Sequence, residues 1–143
     1  MWIGLSKRIA LSKIEDMLSA AFPGRSVGVF NDFPAGEWPS ICATVTENQS
    51  DFPLVFEIHT IEYDQGQNIS LAHLASGHFK CRSICDGSGL GDSETPYWCI
   101  VWDEGQSYLA DDCSTVFGDG EGGPVRIVRA IDLSNSSQRG PGK

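Results

Sequence analysis

His73, His78, Cys81 and Cys85 crowd into one short stretch of the chain, and imidazole nitrogens and thiolates are the ligands that tetrahedral zinc takes. Their spacing matches none of the arrangements in which a close cysteine pair is joined by a second pair at a distance. If Phe79 to Cys85 is extended, Cys81 and Cys85 lie on one face about 13 Å apart by strand rise, too far for a disulfide or a shared metal. The residues then read as thiols on a core face, with no metal and no other cofactor. A thiol nucleophile would need a base, and His59 or His73 is available for that role. His59 fits better on the polar face of a strand beside Glu57, so no catalytic residue is assigned.

Oxygen ligands and phosphate loops fare no better. Gly87, Gly89 and Gly91 have the spacing of a phosphate-cradling loop but lead into Asp92, Ser93, Glu94 and Pro96, where a phosphate would meet carboxylates. Asp111, Asp112, Asp119 and Glu121 could offer oxygens to calcium, yet the spacing of the familiar calcium loop and its closing glutamate are missing. Asp111 and Asp112 are adjacent, and neighbours on a strand point to opposite faces, which weakens them as a hydrolytic carboxylate pair.

A different chemistry suits these acids. From Asp86 to Glu121 the chain carries nine carboxylates and no Lys or Arg, and Trp98, Trp102 and Tyr108 are interleaved with Asp103, Glu104 and Asp111. Protein interfaces favour aromatic anchors ringed by charges that steer a partner of opposite sign. The expected partner-binding residues are therefore Asp92, Glu94, Trp98, Trp102, Asp103, Glu104, Tyr108, Asp111, Asp112, Asp119 and Glu121. The bland alternative is that the tryptophans are core and the acids a solvated rim.

Composition narrows the partner. Ten Lys and Arg against 19 Asp and Glu give a net charge of −9, which opposes nucleic acid and anionic membrane surfaces and favours a basic protein. The five cysteines are an odd number, and Lys7 and Arg8 interrupt the first apolar run, so a secretory leader and a disulfide framework are both disfavoured. No apolar run reaches the length that spans a bilayer. A reduced, cytoplasmic protein is expected.

The elements that must position these residues follow from periodicity. Ile3 to Leu11 reads as a strand, and Ser12 with Glu15 as a capping box that opens a helix through Phe22, closed by Pro23-Gly24. Val27 to Phe30 is a short strand. Ile41 to Thr46 and Leu54 to Ile61 alternate as an antiparallel hairpin with one buried face. Ile69 to Ser76 reads as a second helix closed by Gly77, followed by a strand over Phe79 to Cys85 and a Gly-rich loop from Asp86 to Thr95. Tyr97 to Trp102 should be an interior strand, joined by a three-residue turn Asp103-Glu104-Gly105 to Gln106 to Ala110. Val125 to Leu133 is a last strand. The prediction is one α+β domain over residues 1–133, a largely antiparallel sheet of about six strands with two helices packed on one face, and a flexible tail over 134–143.

The segments ISLAHLASGHFKCRSICDG and PYWCIVWDEGQSYLADD, a helix leading to a strand, a loop and a hairpin with an Asp-x-Gly turn, resemble in arrangement the small bacterial immunity proteins of contact-dependent and polymorphic toxin systems. LSKIEDMLSAAFPG is compatible with their N-terminal helix. The resemblance implies a protein without catalysis that binds a cognate toxin domain, often a basic nuclease, and covers its active site. The alternatives are a small-molecule or calcium-binding module, or a small hydrolase.

Overall fold

The computed structural model describes residues 1–91, 98–111 and 125–133. The chain runs β1 (Trp2–Leu5), α1 (Leu11–Ala21), β2 (Val27–Phe30), β3 (Ile41–Glu47), β4 (Leu54–Ile58), α2 (Gln65–Phe79), β5 (Ser83–Asp86), β6 (Trp98–Asp103), β7 (Gln106–Asp111) and β8 (Arg126–Ile131). All eight strands join one sheet in the order β2-β3-β4-β1-β5-β6-β7-β8. Only β2 with β3 is parallel, and every other pair is antiparallel. The fold is α+β as expected, with eight strands rather than about six, because even the four-residue segments find partners. The tail over 134–143 and the turn at Asp119 lie outside the described residues.

Alternation sorts the side chains into two faces. Ile3, Leu5, Ile41, Ala43, Val45, Leu54, Phe56, Ile58, Ile100 and Leu109 meet both helices in one core, to which α1 contributes Ile14, Met17 and Leu18 and α2 contributes Ile69, Leu71, Ala72 and Ala75. Each large apolar side chain so buried contributes roughly 1.5–3 kcal/mol. On the opposite face, Phe52 from the β3–β4 connection covers Ile84, Cys99, Val101 and Ala110. Gly4 makes that cover possible: a Cβ there would sit 2.7 Å from Ile84 Cγ2 and 3.3 Å from Phe52 Cβ.

Helix boundaries depart from expectation for identifiable reasons. Ala10, not Ser12, is the N-cap of α1, and its side chain offers no capping bond. Leu11 packs against the core about one turn before Ile14 and two before Leu18, so extending the apolar stripe outweighs a side-chain cap. The first strand accordingly ends at Leu5 rather than Leu11. α2 starts four residues before Ile69 because Asp64 Oδ1 accepts the Gln67 backbone N–H at 2.8 Å. It runs past Gly77 to Phe79, which packs on the core, and closes with Lys80 in the left-handed region at φ 53°. The following strand therefore begins at Ser83 and leaves Cys81 in the connection. The β6–β7 turn has two residues, Glu104 and Gly105, at φ 49° and 82°. Asp103 pairs with Gln106 across it, and two positive φ values are the mark of the tight turn that matches strand twist. Among the described residues no helix is long and apolar enough to cross a membrane.

Candidate partner-binding surface

The β6–β7 hairpin carries the described part of the expected surface, and strand alternation divides it. Trp98, Trp102 and Asp111 share the helix-side face, since Trp98 pairs with Asp111 and Trp102 with Ser107, while Tyr108, beside Val101, lies on the other. Trp102 is only 7% exposed, and the His73 imidazole lies flat on its indole, ring centroids 3.9 Å apart and 6° from parallel. Trp98 is half-buried against the core. Asp111 bonds Arg126 at 3.4 Å on the neighbouring strand, which offsets part of its charge. Asp103 is half-buried and Glu104 is exposed at the turn. Asp92, Glu94, Asp112, Asp119 and Glu121 lie outside the described residues. The hairpin thus brings Asp103 and Glu104 together at its tip, but its tryptophans serve the interior.

The histidines and thiols are held by structure. His59 Nε2 bonds Thr44 Oγ1 at 2.7 Å, and His78 meets Phe79 edge-on. Cys42, Cys81 and Cys85 are free thiols. Burial raises the pKa of Cys42 and Cys81, and burial followed by the adjacent Asp86 charge raises that of Cys85 well above the usual thiol range. These three thiols are protonated at neutral pH, which disfavours them as nucleophiles and metal ligands. Among the described residues no three His, Cys, Asp or Glu side chains are placed to hold a metal ion.

Exposed aromatic surface lies at the other end of the sheet. Residues 31–40 connect β2 to β3, and the loop is pinned at its base, where the Ile41 N–H donates to the Ser26 carbonyl, the Ser40 N–H to Ser26 Oγ, and Arg25 Nε to Ser40 Oγ. Asp32 accepts the Phe33 N–H at 2.8 Å. Trp38 donates its indole N–H to the Pro34 carbonyl at 3.2 Å, so its polar atom is satisfied within the loop while its ring stays accessible. Phe33 and Trp38 stack with centroids 5.3 Å apart, and His59 supports Phe33 at 4.7 Å. Phe33 remains 53% and Trp38 42% exposed. The two rings belong to a loop that also exposes Asp32 and Glu37, and Glu57, exposed on β4, pairs across with Thr44, the partner of His59.

This patch was not anticipated from sequence, although Asp32-Phe33-Pro34-Ala35-Gly36 and Trp38-Pro39 read as loop. Two aromatics within a Pro/Gly loop were the available signal, because a loop lacks the alternation that turns strand side chains toward a core. Comparison with protein-family models, with curated proteins and with solved structures yields no match.

Proposed function

We propose that this protein is a non-enzymatic inhibitor of the immunity type, which acts in the cytoplasm by binding a basic toxin domain, such as a nuclease. The supporting observation is the stacked, half-exposed Phe33–Trp38 pair in a loop with exposed carboxylates, on a chain of net charge −9. An aromatic pair held in place at low conformational cost is the kind of anchor that dominates interface energetics. Asp32, Glu37 and Glu57, reinforced by Asp103 and Glu104 at the far hairpin, supply a field that draws a cationic groove toward the protein and speeds encounter. A nuclease must present Lys and Arg to phosphates, so its substrate groove is the complementary surface.

The test is to look beside this chain's gene for a large secreted protein with a basic C-terminal domain and to co-express that domain with this chain. Stable co-purification is expected. Replacing Phe33 and Trp38 by Ala should then speed dissociation by at least about tenfold, since anchor losses fall mainly on the off-rate. Charge reversal at Glu37 and Glu57 should slow association and flatten its salt dependence. If no basic domain co-purifies, the reading falls; if one does and Phe33 and Trp38 prove silent, the binding face lies elsewhere.

A further inference from the structure

At the β2–β3 end, the sheet face turned away from the helices brings a carboxylate beside the exposed rings. Ala43, Val45, Phe56 and Ile58 meet the helix-side core, so Thr44 and Glu57, cross-strand partners on β3 and β4, share the opposite face. His59 joins them there, because its Nε2 bonds Thr44 Oγ1 at 2.7 Å and its backbone N–H extends the ladder to the Cys42 carbonyl. Glu57 and His59 stand two residues apart, roughly 7 Å along the strand. The His59 ring in turn meets Phe33, and the centroids of Phe33, Trp38 and His59 close a triangle with sides of 4.7, 5.3 and 6.5 Å. A short span thus leads from an exposed carboxylate, past a fixed imidazole, to two exposed rings.

The chemistry of this span selects among partner side chains. Among the described residues the ion pairs are Arg8 with Glu47 and Arg126 with Asp111, so the exposed Glu57, and Glu37 on the loop, are left to a partner's cation. Cations close to them in the fold are otherwise engaged: Arg25 donates from Nε and Nη2 to the Ser40 hydroxyl and carbonyl, and the Met1 ammonium donates to the Ile58 carbonyl. Trp38 has spent its N–H on Pro34, so its accessible part is π surface. Phe33 and Trp38 lie 16° from parallel, which suits a flat group. A π face attracts a cation within about 6 Å of its centroid, indole most strongly. Lysine brings a compact, strongly hydrated point charge, whereas the guanidinium of arginine is planar, weakly hydrated, stacks on aromatic faces and grips a carboxylate with two parallel N–H bonds.

We infer that this face receives an arginine side chain of the protein partner, its guanidinium plane on the Phe33–Trp38 rings and its nitrogens on the Glu57 carboxylate. His59 is a positioning residue: tied to Thr44, it holds Phe33 beside Glu57. Glu37 adds negative potential from the loop without having to touch the guanidinium. The inference rests on the inhibitor reading for taking a protein as the ligand, and it deepens that reading by naming the side chain that the aromatic pair selects.

The experiment is an NMR titration of the ¹⁵N-labelled full chain, at constant ionic strength, with three capped pentapeptides that place arginine, lysine or citrulline between pairs of glycines. Lysine keeps the charge without the plane, and citrulline keeps the plane without the charge. The Trp38 indole N–H resonance reports binding, and Trp38→Phe identifies it by its loss. The arginine peptide should shift that resonance saturably at millimolar concentration, with lysine and citrulline each at least about fivefold weaker. Glu57→Gln, an exposed substitution of equal size, should weaken the arginine peptide about tenfold and leave citrulline unchanged, with the dispersion of the spectrum retained. The inference is overturned if the arginine peptide leaves the Trp38 resonance unmoved, if lysine or citrulline binds as tightly, or if Glu57→Gln binds undiminished. The two readings fail separately. A peptide that binds while no toxin domain co-purifies keeps the arginine site and removes the inhibitor, whereas an inert peptide beside a co-purifying toxin domain removes the arginine site alone.

Discussion

At the β6–β7 end of the sheet, Trp102 is 7% exposed beneath His73; at the β2–β3 end, Trp38 is 42% exposed and stacked on Phe33. Both tryptophans are followed or preceded by carboxylates in sequence, and only the structural context separates them. On an interior strand flanked by β5 and β7, alternation turns every second side chain, Trp98 and Trp102 among them, toward the helix-side core and leaves the acids at the turn. In a loop pinned at its base and braced by His59, the rings pair with each other and remain available. The lesson is that mixing aromatics with acids does not itself make an interface; the element that carries them decides.

The sharpest way to break this comparison is to truncate both rings. Trp102→Ala should cost about 3–5 kcal/mol in urea unfolding, the range for large aromatic cores, whereas Trp38→Ala should cost no more than about 1.5 kcal/mol, the worth of a surface aromatic pair. Similar losses would mean that the two ends do not differ in role.

Alkaline unfolding separates buried groups from surface ones. Cys85 holds its proton in the folded state far above the ordinary thiol value, so above about pH 8.5 the unfolded chain ionises while the folded one does not. The unfolded state then binds fewer protons, and stability falls as pH rises, by up to about 1.4 kcal/mol per unit for this thiol. Cys85→Ala should flatten the decline of the urea midpoint between pH 9 and 10. An unchanged slope would show that the thiol ionises equally in both states.

The hairpin tip offers a smaller effect of opposite sign. Glu104 occupies a left-handed position at φ 49°, and Glu104→Gly should raise the stability by up to about 1 kcal/mol in thermal melts. If the same change weakens partner binding, the carboxylate is retained there for contact rather than for folding. The smallest effect is expected at the surface ion pairs. Arg8 and Glu47 bond at 2.8 Å with side chains 60% and 62% exposed, and Arg8→Ala should shift unfolding by less than about 1 kcal/mol.

Strand-forming segments were legible because Ile41, Ala43 and Val45 alternate with Cys42, Thr44 and Thr46, and because the run ending at Trp102 is apolar on both faces, as suits an interior strand in which Cys99, Ile100, Val101 and Trp102 are all buried. Helix limits were less so. Asp64 had the chemistry of a cap, but Gly66 and the polar residues 65–68 gave no apolar stripe to announce a helix, and Gly77 sits in the helix interior because Phe79 finds a place in the core. The candidate site was legible in composition and not in location: alternation predicts which residues share a face but not which face is covered. That Phe52 would fold over one face depends on contacts between segments distant in sequence, and that Trp38 would satisfy its own N–H on the Pro34 carbonyl depends on a loop geometry that no periodicity announces.

The place of β1 has a consequence for the order of assembly. It lies between β4 and β5, with four register pairs to the former and two, Gly4 with Ile84 and Leu5 with Ser83, to the latter. The sheet is thus two hairpin-rich halves, β2-β3-β4 and β5 to β8, sewn together by the first strand made. Each half can pair locally and early, while the seam requires contacts 49 or more residues apart in sequence along its whole length. Closing such loops is the slow step in sheet formation, so completion of the sheet should be rate-limiting. Until then the unpaired edges of β4 and β5 face each other across the gap, and that interval is when this chain is most exposed to domain swapping.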